Sequence, residues 1–400
     1  MYEPKKYSST RIEDLCSKVT SGGTPSRKKP EFYTGEIPWI KTGELNGWFI
    51  YDAVEKITQG AIKGSSAKIY PKNTILMAMY GDGKTIGSTA ITAIEAASNQ
   101  ACCAMTVDPN KCIPLFLLYS LQHYRETIVN LALGGAQRNL NQGTIKNFEI
   151  NHPPLIQQKK IVHVLSSYDN LIENNNRRIA ILEEMAQSLY REWFVNFRYP
   201  DHEYNLDVDG TPKLIDSPLG RIPVGWEVKK FSDLVNYKTG KLNSNAAVSD
   251  GEYPFFTCSR ETFRTNTYSF DCESVLLAGN NANAVYPIKY FNGKFDAYQR
   301  TYVITEKNRD EIAPSFLFYC LELKLNQLKS LSTGSATRFL TKGILDNLDL
   351  IVPSSKLMKK FDHTVLGFLN AQANFKKRND ILKSQRDMLL PKLISGDIEL

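Results

Sequence analysis

The chain has 400 residues, 42% of them apolar and 23% charged. That composition excludes a disordered or fibrous protein, and the length leaves room for two cores at about 150 residues per domain. Forty-nine basic residues against 42 acidic ones give a net charge of +7, which permits a polyanionic partner without demanding one. The longest apolar run, 113–118, falls far short of the ~18 residues that span a bilayer. The opening MYEPKKYSSTRIEDLC lacks the apolar centre of a signal peptide, so no membrane association is predicted and the expected location is the cytoplasm. Seven cysteines with no CxxC among them read as small buried or half-buried thiols, not as a disulfide framework or a zinc site.

In chain order, the first feature is a polar, glycine-punctuated loop from Ser21 to Lys29, which carries Thr24, Ser26, Arg27, Lys28 and Lys29. A β-type run follows at Thr74–Ala78, and then GDGKT at 81–85. The pentapeptide resembles the end of a phosphate-binding loop, but that pattern needs glycine where Ala78 stands and a helix after Thr85. Residues 86–90, IGSTA, read as a turn into another strand, so a hairpin turn carrying Lys84 is favoured over nucleotide binding. A helix is predicted near 114–131, and a Gly-x-Ala turn with Gln137 and Arg138 comes after it. NHPPL at 151–155 is close to the Asn-Pro-Pro-aromatic signature of adenine-N6 methyltransferases. His152 interrupts it, Leu155 stands where an aromatic would stack on a flipped base, and a helix start explains the prolines.

Beyond Pro153 the apolar spacing becomes 4-3-4-3. Ile161, Leu165, Tyr168, Ile172, Asn175, Ile179, Leu182, Ala186, Leu189 and Trp193 form an a/d seam over more than four heptads, with one polar interruption at Asn175. Residues 197–225, rich in proline and glycine, read as a linker.

The second half repeats the first at a shift of 200. Pro114, Phe116, Leu117, Tyr119 and Leu121 recur as Pro314, Phe316, Leu317, Tyr319 and Leu321. Gly134, Ala136, Arg138, Leu140, Gly143, Asn147 and Pro153 recur in the same register, as do Lys159, His163, Arg178, Leu182 and Leu189. Coincidence does not hold one register over so long a stretch. Upstream the match needs gaps: Leu76 and Ala78 align with Leu276 and Ala278, and Ile37-Pro38-Trp39 with Tyr253-Pro254-Phe255. The polar loops of the second copy carry Lys238, Lys241, Asn243, Asn280, Asn281 and Arg338. Its seam reads Phe361, Val365, Phe368, Gln372, Phe375, Asn379, Leu382, Arg386, Leu389 and Leu393, with Pro391 expected to end or kink the helix.

Two matched seams supply partners for each other. The predicted fold is α+β: two globular α/β domains separated by two long helices that form an intramolecular antiparallel coiled coil, a pseudo-two-fold repeat. The residues expected to pair the helices are Ile161, Leu165, Ile172, Ile179, Leu182 and Leu189 with Phe361, Val365, Phe368, Phe375, Leu382 and Leu389. Thirty-two rises of ~1.5 Å make the seam ~48 Å long, and antiparallel pairing places the domains at opposite ends of that rod. The expected borders are 1–154 for the first domain, 155–196 for its helix, 197–225 for the linker, 226–352 for the second domain and 353–400 for the second helix and tail.

No catalytic residue, metal site or cofactor is predicted. The five histidines are scattered, and His163 and His363, near the seam, are expected to pack. What remains are the paired polar loops. Arg, Lys, Asn and Gln read purine edges in the major groove, while Ser, Thr and backbone amides settle on phosphates. The DNA-binding candidates are therefore Thr24, Ser26, Arg27, Lys28, Lys29, Lys84, Gln137, Arg138, Lys238, Lys241, Asn243, Asn280, Asn281 and Arg338.

SGGTPSRKKPEFYTGEIPWIKTGEL at 21–45, LGRIPVGWEVKKFSDL at 219–234 and the order domain, helix, domain, helix resemble the specificity subunit of a type I restriction–modification system. The N-terminus lacks an equivalent of Ile222-Pro223-x-Gly225-Trp226, so the first domain starts in abbreviated form. The resemblance implies a subunit, not itself an enzyme, that reads a bipartite asymmetric sequence in double-stranded DNA, one half per target recognition domain. Its implied partners are two modification subunits that bind S-adenosylmethionine and methylate adenine, and ATP-dependent restriction subunits that cleave. The alternative is a self-contained DNA adenine methyltransferase or nuclease, distinguished by whether the chain alone binds S-adenosylmethionine. A coiled-coil assembly protein without affinity for duplex DNA is a third reading.

Overall fold

The structure, a computed structural model, describes residues 7–81, 85–132, 139–206, 208, 210, 213–281, 285–332 and 338–400. Contacts divide the chain into two units, one of residues 1–175 with 377–400 and the other of residues 176–376.

The first unit holds a five-stranded sheet in the spatial order Cys16–Ser21, Cys102–Val107, Ile75–Ala78, Thr89–Thr92, Phe49–Ile50. A three-stranded sheet, Glu55–Ile57, Ile37–Ile40, Ala97–Ser98, lies in the same unit. The second unit has one six-stranded sheet: Val235–Thr239, Thr301–Glu306, Phe270–Ala278, Ile288–Ala297, Tyr253–Phe256, Thr262–Thr265. The difference has a local cause. Thr89–Thr92 and Ala97–Ser98 are separate strands, whereas their counterpart Ile288–Ala297 runs unbroken and joins both sets of neighbours.

Strand register supports the gapped alignment of the two copies. Leu76 lies opposite Ala104 and Leu276 opposite Val303, so the facing strand is offset by one less than 200. Trp39 pairs in parallel with Ala97 and Phe255 with Asp296, consistent with the alignment of Ile37-Pro38-Trp39 on Tyr253-Pro254-Phe255. The abbreviated N-terminus still forms its edge: Ser8–Arg11 pairs with Glu149–His152 as Glu227–Lys230 pairs with Asp349–Val352.

The helix expected at 114–131 breaks at Tyr124 into Pro114–His123 and Arg125–Asn130, and its counterpart Pro314–Leu331 is continuous. Each starts with proline in its first turn, where the missing N–H costs nothing. Phe116–Leu121 and Phe316–Leu321 are buried all round, as expected of helices covered on every side.

The long helices span Leu155–Phe194 and Ser355–Ser395. They run antiparallel. In the first unit Arg386 pairs with Asp169 and Asn379 with Asn175; in the second Gln372 meets Glu183 and Phe361 meets Trp193. As one number rises the other falls in step; Asn175 with Asn379 and Trp193 with Phe361 join seam positions, while Arg386 and Gln372 reach Asp169 and Glu183 beside the seam. Ile161, Leu165, Phe361 and Val365 are fully buried. Ile172 is also buried, while Ile179, Leu182, Leu189, Phe368, Phe375, Leu382 and Leu389 are half-buried, because a pair of helices covers a/d side chains on one side only.

Two expectations are corrected here. Pro391, expected to end or kink its helix, does not end it: the helix continues to Ser395, and Leu393 and Ile394 beyond the proline are buried in the first unit's core, packing that offsets the lost hydrogen bond. His163 and His363 are exposed, on the face of each helix away from the seam.

Candidate nucleic-acid interface

The two units build their polar loops on the same backbone frame. Leu140 N donates to Met79 O and Leu340 N to Gly279 O, both at 2.9 Å. Met79 N donates to Ala101 O (2.8 Å) and Gly279 N to Arg300 O (2.7 Å). Gly22 N reaches Cys102 O and Gly240 N reaches Thr301 O. A Cβ at Gly22 would lie 2.1 Å from Asn99 O, and one at Gly240 1.9 Å from Ala297 O, so both loops need glycine for close backbone approach.

In the first unit, the Ser21–Lys29 loop is largely held by its own fold. Arg27 pairs with Glu55 at 2.6 Å and lies over the Tyr33 ring at 4.1 Å. Arg27 and Lys41 together hold the Glu55 carboxyl below the ordinary carboxylate range. Thr24 donates to Gln100 Oε1, and Lys29 Nζ sits 5.0 Å above Phe32. Ser26 and Lys28 are exposed on the turn. Lys84, Gln137 and Arg138 lie outside the described residues.

In the second unit the candidates converge. Asn280–Asn281 and Arg338–Phe339 form a two-stranded antiparallel ribbon in which Asn281 faces Arg338 and Asn280 faces Phe339. Arg338 is exposed and spends one N–H on Ser332 O at 3.2 Å. The Lys241–Asn243 loop runs beside the turn 298–300, through a bridge between Leu242 and Tyr298 and a Gln299 N to Leu242 O bond of 3.0 Å. A groove of about 610 Å3 is lined by Lys238, Lys241, Asn236 and Thr305. A separate cleft of about 370 Å3 is lined by Asn280, Asn281, Cys258, Ser259 and Tyr298. Lys238, Lys241 and Asn243 are exposed.

Sequence reasoning missed Gln100, Cys258, Ser259, Tyr298 and Arg300. Gln100 and Gln299 share a turn only when the offset drops by one, so a fixed shift of 200 hides them. Arg300, whose guanidinium lies 5.2 Å over Phe339, has no basic counterpart in the first copy and left no signal to find. Among the described residues, no group of three or more His, Cys, Asp or Glu side chains could hold a metal ion. Nor is any described helix long and apolar enough to cross a membrane.

Residues 4–184 and 223–370 match the family model for the type I restriction modification DNA specificity domain. The chain belongs to this family. Among its relatives, the MjaIX type I specificity subunit of Methanocaldococcus jannaschii is 27% identical over 99% of this chain and 94% of its own length. The EcoDI specificity subunit of Escherichia coli is 33% identical over 45% of this chain and 40% of its own length. The S subunit of the type I restriction-modification system from M. genitalium superposes with a TM-score of 0.61 at 18% identity, covering 98% of this chain and 97% of the other; this likeness speaks for the fold.

Proposed function

We propose that the chain reads a bipartite, asymmetric sequence in duplex DNA, each head addressing one half, for a type I restriction–modification complex. The observation that carries this reading is one backbone frame built twice under different side chains: Leu140–Met79 with Leu340–Gly279, and Gly22–Cys102 with Gly240–Thr301. A frame shared by two heads with diverged loops suits two related but different DNA words.

The working parts are the first head (1–154), its helix (155–196), the segment 197–225, the second head (226–352) and the second helix with its tail (353–400). The paired helices set the gap between half-sites and dock two modification subunits, and restriction subunits join for cleavage. Adenine methylation and ATP-dependent cleavage belong to those partners, and the complex works in the cytoplasm. A helix-pair ruler of ~48 Å is of the same order as the ~34 Å between half-sites one helical turn apart.

The test is a domain exchange in the assembled complex. Residues 13–150 are replaced with the matching segment of a related specificity subunit, unmodified partner subunits are supplied, and the methylated sequence is read from cellular DNA. One half of the target should change while the other half and the spacer stay fixed, and exchanging 227–350 should do the converse. A hybrid that assembles and alters both halves together refutes the two-headed reading.

A further inference from the structure

We propose that the 370 Å3 cleft of the second unit is a base-reading subsite, with Asn280 and Asn281 addressing a purine edge in the major groove and Cys258 positioning Asn280. The proposal rests on the DNA-reading role above and names where in the second head it is exercised.

The major groove of B-DNA is about 12 Å wide and admits a two-stranded β-ribbon. Asn280–Asn281 paired with Arg338–Phe339 is such a ribbon, one residue pair from its root. That root is tied on both strands: Gly279 N to Arg300 O (2.7 Å), Leu340 N to Gly279 O (2.9 Å) and Tyr302 Oη to Leu340 O (2.8 Å). A ribbon held this way arrives at the groove already ordered, so little conformational entropy is lost on contact.

A carboxamide donates and accepts side by side, which matches the N6 amine and N7 of adenine. Cys258 Sγ donates to Asn280 Oδ1 at 3.0 Å and also lies 3.4 Å from Arg300 O. One lone pair of Oδ1 is thereby used, and the other stays available to an incoming amine. The turn that carries the thiol is rigid, because Thr257 Oγ1 accepts from Ser259 N and Ser259 Oγ accepts from Glu261 N, both at 3.1 Å. The exposed Arg338 within the ribbon and Arg300, over the Phe339 ring, supply positive charge for the DNA backbone. The neighbouring 610 Å3 groove, by contrast, carries Lys238 and Lys241, point charges that suit phosphates.

The experiment uses the full chain assembled with its modification subunits and a duplex carrying the methylated motif. Asn280→Ala and Asn281→Ala should each weaken binding to that duplex by about tenfold, the ordinary cost of a lost base contact. Affinity for a scrambled duplex should change by less than about twofold, and the second half of the methylated motif should relax. Cys258→Ala should relax the same half, and Cys258→Ser, which keeps a donor toward Oδ1, should restore it. On the unsubstituted chain, maleimide labelling read by mass spectrometry should find Cys258 shielded by the motif duplex and not by the scrambled one. Cys272, which lines the other groove, serves as the internal control. Specific binding with an unchanged motif in both asparagine variants and equal labelling of Cys258 would overturn the subsite while leaving DNA recognition standing. A wild-type complex with no preference for its own motif would overturn both.

Discussion

Replacing Phe361 with alanine is the sharpest probe of how the second unit is held together. Its ring is fully buried and meets five others, with centroids at 5.0 Å to Phe194, 5.9 Å to Tyr190 and Trp193, 6.3 Å to Phe316 and 6.5 Å to Tyr319. Three of the five come from the end of the first long helix and two from Pro314–Leu331, so one side chain ties three elements. Truncating a buried phenylalanine costs about 3–5 kcal/mol, and the dense aromatic shell, which cannot collapse onto a methyl group, places this site at the upper end. About 4 kcal/mol is three decades in an opening equilibrium. Native-state hydrogen exchange should therefore show amides of Pro314–Leu331 and Thr301–Glu306 losing about three orders of magnitude of protection. Amides of Cys102–Val107, in the first unit, should be unchanged. Phe361→Leu, which keeps most of the volume, should lose about one order. A loss below tenfold in Phe361→Ala refutes the anchoring role, and equal losses in both units refute the division of the chain into two.

Asn175→Ala should destabilise by about 1–3 kcal/mol, since it leaves the buried Asn379 amide without its 2.8 Å partner; the double change to leucine should be neutral or stabilising, and a urea double-mutant cycle measures the coupling. Burial, and then the nearby Glu183, raise the Glu322 carboxyl above its ordinary range. A raised carboxyl contributes stability below its unfolded pKa and loses it as pH rises through the folded pKa, so Glu322→Gln should raise the melting temperature by about one to two degrees at pH 7 and have no effect near pH 4. Arg338→Ala should weaken binding on all sequences alike and lower the salt slope by about one unit in a titration of ionic strength; an unchanged slope assigns the guanidinium to Ser332 O alone.

The helix seam was legible because a/d spacing encodes which side chains face a partner, and its repetition 200 residues on named the partner. Its polar interruption at Asn175 was legible too, though only the fold shows it bonded to Asn379. The loops were legible as polar and glycine-dependent, but not as a site. Arg27 looks like a free cation in sequence and is bound to Glu55, 28 residues on, because the turn that carries it comes back against the strand Glu55–Ile57, a proximity no local pattern encodes. Asn280, Asn281 and Arg338 come together through strand order, which no local pattern encodes. Pro391 misled because propensity was weighed without the burial of Leu393 and Ile394 that follows it.

The core residues that differ between the two copies settle which helix end belongs in which unit. Ile161 of the first unit shares its core with Leu390, Leu393 and Ile394, from the end of the second long helix. Phe361, its counterpart in the second unit, is surrounded by Tyr190, Trp193 and Phe194, from the end of the first. One core is aliphatic and the other aromatic at the same positions of the repeat. A helix end that folded onto its own head would bring three rings to a space shaped for leucines, or three aliphatic chains to a space shaped for rings. Overpacking of this kind costs ~1–3 kcal/mol per site, and underpacking at least as much. Each helix end therefore fits the head that the other half of the chain supplies, so divergence between the copies, which blurred the repeat in sequence, specifies the antiparallel pairing.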